Sequence, residues 1–436
     1  MNSKNIDLKK VIKSGIILLM FSRTQKIQLS TIKQMELLAS KIPDVVSLAQ
    51  GIPSFDTPEI IKKAAIKALS RGVAGKYSLT YGLPELRETI EQKLAEDKMY
   101  YDYEKEIIAT AGSIEGITAT LISIIDKQKN EVVLFSPSYV SYAEAIKVAG
   151  GKPIFVNLNE QSGWGVDIEK LIKKINGQTV AIIVCNPNNP TGTIFSKEDL
   201  FKIAEIAWKK KLFIICDEVY KDFIYKTEIE IDKNSEARQG NNKLEKKEDK
   251  SDFFSLAQIP ELRKIIIRFF SLSKAYAMTG WRIGFLHSDE ENVSEIIKVH
   301  DSLVTCAPVI SQYAAMMALD FCDKEVREFC KQYQYRRDLI CGYLDEMADF
   351  LSYQKPNSSY FVFPKINSQL FEKKKKRGES FSWNFAKDLL DKAHVAVVPG
   401  VAFGPSGEDH IRLSFGRREK DINEGMKRIK EYFNHK

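Results

Sequence analysis

The sequence predicts an α/β fold: a large three-layer αβα domain on a mostly parallel sheet, followed by a smaller α+β domain. Three observations predict it. Short, continuously apolar runs of strand length alternate with segments of helical period through most of the chain. Strands with no polar face belong to a parallel sheet covered by helices on both sides. After about Ser311 the pattern changes to long helices with a few short strands. The 436 residues suffice for two or three domains and a large core.

In chain order, residues 1–28 are expected to form an N-terminal extension. Its apolar run Gly15–Phe21 follows Lys9, Lys10 and Lys13, faintly like a secretory signal. The run is short, no small-residue cleavage site follows it, and a bilayer span needs about 20 apolar residues. An arm packing on a neighbouring surface is expected instead. Residues 29–60 are expected to join the small domain, and residues 61–310 to form the large one. Pro84 opens a helix, PELRETIEQKLAED, at its first turn. Strands are predicted at Ile107–Thr110, Val132–Phe135, Pro153–Val156, Val180–Cys185, Leu212–Cys216, Ile265–Phe270 and Ile283–Leu286. Between them lie helical segments such as Ile114–Ile125, Tyr142–Ala149 and Lys197–Lys209. The charged stretch 226–252 has no apolar period and reads as a surface insertion. Within the small domain, residues 311–436, Glu372–Ser380 reads as an exposed loop and Glu419–Phe433 as the last helix.

The formal charge of +7 comes from a few lysine-rich segments. No basic stripe interleaves with aromatic residues, which argues against a nucleic-acid partner. The six cysteines lack metal-ligand spacing, so no metal site is expected. Cys185 and Cys216 end apolar runs as buried thiols, and a reducing cytoplasm fits them.

Chemistry is concentrated at strand ends. FFSLSKAYAMTGWRIGF, Phe269–Phe285, sets Ser271, Ser273, Lys274 and Arg282 in an apolar stretch, where an unpaired charge costs several kcal/mol. Gly112-Ser113, CNPNNPTG (Cys185–Gly192) and DEVY (Asp217–Tyr220) likewise follow predicted strands. Ligands of open α/β sheets bind beyond the carboxyl ends of the strands. These segments should therefore converge on one site holding a phosphate cradle, an acid, a phenol, a carboxamide and a lysine.

Together with SLAQGIPSFDTPE, YGLPELRE and IRLSFG, in order from about Leu29 to the C-terminus, these motifs resemble the class I/II aminotransferases. Those enzymes have PLP transferase fold type I and depend on pyridoxal 5'-phosphate (PLP). NPTG, then DEVY, then SxSK with an arginine eight residues on is the specific part of the match. The resemblance implies a transaminase that passes an amino group from an L-amino acid to a 2-oxo acid such as 2-oxoglutarate or pyruvate.

It also implies roles. Lys274 would condense with the cofactor and later carry the substrate's Cα proton, which suits a lysine of lowered pKa. Asp217 would pair with the pyridine nitrogen, although an Asp after a strand is also a common helix cap. Tyr220 and Asn189 would hydrogen-bond the phenolic oxygen. Ser113 and Ile114 would offer backbone N–H groups to the phosphate, with Ser271, Ser273 and Arg282 completing the cradle. Tyr139 would stack on the ring, with a core tyrosine as the rival reading. Tyr77 would reach the phosphate of a neighbouring subunit in a homodimer, and Tyr81 is close enough to exchange with it. Arg412, Asn189 and the backbone of Gly51 would bind the substrate carboxylate.

Two departures bear on specificity. Many relatives carry a glycine pair where this chain has Ser358 and Ser359 in PNSSYFVF, and some bacterial aspartate-selective ones carry a lysine where this chain has Ile114. Neutral or aromatic donors gain ground from the second. The rivals on the same frame are a C–S lyase and a cyclopropane-forming synthase, which the cofactor motifs do not separate. A PLP-binding transcription regulator needs a DNA-binding domain, for which too few residues precede Leu29.

Overall fold

The computed structural model describes residue 27 and residues 29–226, 253–374 and 378–435. The expected N-terminal extension and the 226–252 insertion, apart from residues 27 and 226, lie outside them. Strand β1 (Val46–Ser47) comes first, followed by the sheet strands β2 (Ile107–Thr110), β3 (Glu131–Ser136), β4 (Lys152–Asn157), β5 (Thr179–Cys185), β6 (Phe213–Asp217), β7 (Ile266–Ser271) and β8 (Gly284–His287). The short strands β9 (Leu351–Ser352), β10 (Phe361–Val362), β11 (Lys365–Ile366), β12 (Val395–Ala396), β13 (Val398–Pro399) and β14 (Ile411–Ser414) complete the set.

The main sheet has seven strands in the order β2-β8-β7-β6-β5-β3-β4. Four of its pairings are parallel; β8 alone runs against its neighbours β7 and β2. Its central strands are buried along their whole length, as in a sheet with helices on both faces. Alternate residues serve different cores: Ile182, Val184 and Ile214 pack on one side, Ile183, Ile215 and Ile267 on the other. This is the three-layer α/β architecture expected from the sequence.

Helix Pro84–Glu96 begins at its proline as predicted. The helix expected from Tyr142 starts two residues earlier, at Val140. Of the expected loop Glu372–Ser380, residues 372–374 belong to a pair of 3-10 turns over Ser368–Lys374 that kinks at Phe371, and residues 375–377 lie outside the described residues. The chain's beginning and end meet: β1 pairs with β12, and Ser414 N–H donates to Leu48 O at 2.8 Å. That meeting lays Ala49, Gln50 and Gly51 across the sheet edge that carries the candidate site. Among the described residues no helix is long and apolar enough to cross a membrane.

Candidate active site

Cys185 on β5, Asp217 on β6 and Phe269 on β7 lie in register, and Ser271 and Thr110 both lie opposite Gly284 of β8. β2, β5, β6 and β7 therefore end on one edge of the sheet. The segments that follow them meet there.

Asp217 is the last residue of β6 and is buried. Its Oδ2 accepts from the Tyr142 hydroxyl at 2.6 Å and its Oδ1 from Val219 N–H at 3.3 Å. Burial pushes the carboxyl up to about 6, against the Tyr142 hydrogen bond that favours ionisation. Lys274 ends the turn after β7 and donates from Nζ to Gly51 O at 2.7 Å. Burial first, then the nearby Arg412 and Arg282, bring its amine down to about 8. A lysine that deprotonates near neutral pH can exchange protons at carbon.

Arg412 lies on β14, only 1% exposed. Nη1 donates to Asn189 Oδ1 at 3.2 Å and Nη2 to Ala49 O at 2.6 Å. The guanidinium lies 4.2 Å from the Phe361 ring centre and 5.1 Å from that of Phe403. No carboxylate of the described residues pairs with it, and Nε is buried without a partner. Burial lowers its pKa to about 10. An unpaired buried guanidinium is costly, and an incoming carboxylate would relieve it.

The phosphate-cradle candidates also assemble. Helix Ser113–Ile124 starts after Gly112, whose φ is 82°. A Cβ on Gly112 would lie 2.6 Å from Arg282 Nη2, so glycine lets the guanidinium approach the helix start. Arg282 donates to Thr279 O at 3.0 Å and to Ala111 O at 3.4 Å, and it has no carboxylate partner among the described residues. Ser271 Oγ donates to Ser273 Oγ at 2.9 Å and accepts the Ser273 N–H, which leaves the Ser273 hydroxyl proton to serve a ligand. Ser113 and Ile114 are half-buried at the helix start.

Tyr220 is buried, its ring 5.6 Å from that of Tyr360. Tyr139 is half-buried and meets Tyr142 edge-on at 5.4 Å. Tyr77 is 84% exposed, whereas Tyr81 lies beneath the Arg87 guanidinium, which is 5.5 Å from its ring centre. Ser359 adopts a φ of 59°, the left-handed conformation a glycine would take without strain, and its hydroxyl is buried without a partner.

Sequence reasoning missed Tyr142 and Tyr360. Tyr142 has a legible signal, since it lies in the first turn of the helix that Tyr139 caps. Tyr360 donates to Gly51 O at 3.0 Å, the carbonyl that Lys274 also uses. Nothing local in PNSSYFVF announces that contact.

Comparison with known proteins agrees with the geometry. Residues 43–429 match the family aminotransferase class I and II. An aspartate aminotransferase of Pyrococcus abyssi is 33% identical over 96% of this chain and 99% of its own length. An aromatic-amino-acid aminotransferase of Thermococcus litoralis is 33% identical over 95% and 98%. The crystal structure of an aromatic aminotransferase from Pyrococcus horikoshii is 33% identical and superposes with a TM-score of 0.78, covering 93% of this chain and 99% of that one.

Proposed function

The chain belongs to the class I and II aminotransferases, a family of PLP enzymes, and from that premise we propose how this aminotransferase works. PLP is held at the sheet edge, and the amino group passes from a neutral, aromatic or aspartate-like L-amino acid to a 2-oxo acid such as 2-oxoglutarate or pyruvate. The observation that carries this is Arg412, a buried guanidinium without a carboxylate, placed with Asn189 near Lys274 and Asp217.

The residues suit the cofactor chemically. The helix start after Gly112, Ser271, Ser273 and Arg282 suit a phosphate dianion. Asp217 suits the ring nitrogen, Tyr220 and Asn189 its phenolic oxygen, and Tyr139 the ring face. Bound there, PLP supplies an electron sink for the substrate's Cα. Arg412 and Asn189 fix the α-carboxylate. The Nζ of Lys274, neutral above about pH 8 before cofactor binds, takes the Cα proton and returns it on the way to product. Gly51 O accepts from Nζ and sets its position. Asp217, as carboxylate, keeps the ring nitrogen protonated.

Exposed Tyr77 fits a homodimer in which it reaches the partner's phosphate. The free, mostly buried cysteines fit a cytoplasmic enzyme.

The test is the absorbance of bound cofactor during addition of single amino acids, with and without a 2-oxo acid. Bleaching by one amino acid, restored by 2-oxoglutarate or pyruvate, is expected and names the donor. Ammonia release without any acceptor would overturn the transaminase reading in favour of a lyase.

A further inference from the structure

Asp217 sits at the inner end of β6, where burial opposes its charge. The ionisable groups around it come from β6 itself and from the elements beside it. Cys216 precedes it on β6, its thiol held neutral by burial; Tyr142 comes from the helix Val140–Val148, Cys185 from the end of β5, Glu218 and Tyr220 from just beyond β6, and Lys274 from beyond β7. Glu218 is already engaged by Arg268 and Ser255. Burial pushes the Cys185 thiol up to about 12, so it stays neutral. Among the described side chains, Tyr142 alone donates a hydrogen bond to the carboxylate. Its phenol is buried and held well above its ordinary pKa, by burial first and then by Asp217, so it remains a donor throughout the working pH range.

We infer that Tyr142 is a positioning residue for the ring-nitrogen site. Its hydroxyl, 2.6 Å from Oδ2 of Asp217, holds that carboxylate ionised and fixed in orientation, so that it can keep a pyridine nitrogen protonated. The inference rests on the cofactor reading above. Tyr142 acts through Asp217, the carboxylate its hydroxyl holds. A carboxyl that took up a proton would lose its hold on a pyridinium, so the hydroxyl widens the pH range over which cofactor is retained.

The test is Tyr142→Phe, which removes the hydroxyl and keeps the ring. The probe is pyridoxamine phosphate, which cannot condense with Lys274. Its affinity for the cofactor-stripped full-length protein is measured by calorimetry from about pH 5 to about pH 9. In the unaltered protein, affinity should fall as pH drops through about 6. In Tyr142→Phe the midpoint should move up by about one pH unit, with about tenfold weaker binding below it. The probe's own groups titrate equally in both proteins, so the difference reports Asp217.

Curves that coincide, or that are displaced equally at every pH, would overturn the inference; the second result would make Tyr142 a packing residue only. Asp217→Asn separates the two readings, because it should lose the acid inflection. An unaltered protein that binds no pyridoxamine phosphate at any pH would instead sink the cofactor reading. Should Tyr142→Phe not fold, the infrared carboxyl band lost in Asp217→Asn gives the same titration with Tyr142 intact. A band that appears only below about pH 6 upholds the inference, and one already strong at neutral pH overturns it.

Discussion

Replacing Lys274 with methionine should abolish turnover and, in the cofactor-free protein, stabilise the fold. The amine falls from 10.5 to about 8 on folding, chiefly through burial and then through Arg412 and Arg282. That fall corresponds to a penalty of about 3 kcal/mol on the folded ammonium at neutral pH, an upper bound because the side chain is only part-buried. Losing the bond to Gly51 O offsets about 1 kcal/mol, so a gain of about 2 kcal/mol is expected. Methionine has similar length and no charge. Between about pH 8 and 10.5 the folded state binds fewer protons here than the unfolded state, so the unaltered protein gains stability as pH rises through that window. The advantage of methionine should therefore be full below about pH 8 and gone above 10.5. Urea denaturation of both cofactor-free proteins across this range measures it. Equal stability at neutral pH, or a gain that does not change with pH, would show that the folded ammonium carries no burial penalty.

Arg412→Leu should raise KM for every amino acid by about 100-fold or more, through loss of a charge-assisted pair, without lowering the melting temperature. Steady-state kinetics with several donors checks it, and an unchanged KM would remove Arg412 from the site. Ser359→Gly should stabilise by about 1 kcal/mol in urea, because it relieves a positive φ and removes an orphaned buried hydroxyl. A loss of stability there would show that the serine is held by contacts worth more than the strain. Glu218→Gln should destabilise by about 3 kcal/mol, because it leaves the fully buried Arg268 without its carboxylate. A loss under about 1 kcal/mol would mean that His287 by itself suffices to hold the guanidinium.

Much of the fold was legible because its signals are local. Ile107–Thr110 was predicted with the bounds it has, and the other sheet strands lie within a few residues of theirs. A continuous apolar run bounded by polar turns needs only its own residues to declare itself a buried strand. The residue types at the strand ends were legible for the same reason: a lysine, an aspartate and an arginine stand out against apolar surroundings. Strand order was not legible. β8 enters the sheet between β2 and β7, antiparallel to both, and hydrophobic periodicity carries no record of which strand will pair with which. Contacts between distant residues were hidden too. Tyr142 meets Asp217 across 75 positions, Tyr360 meets Gly51 across 309, and Arg412 meets Ala49 across 363. Each depends on where a packed helix or a small strand finally comes to rest. Local patterns of apolar and polar residues set which elements form and which chemical groups they carry. Which donor faces which acceptor emerges with the packed fold, because a hydrogen bond of about 3 Å is set by close packing of the whole chain.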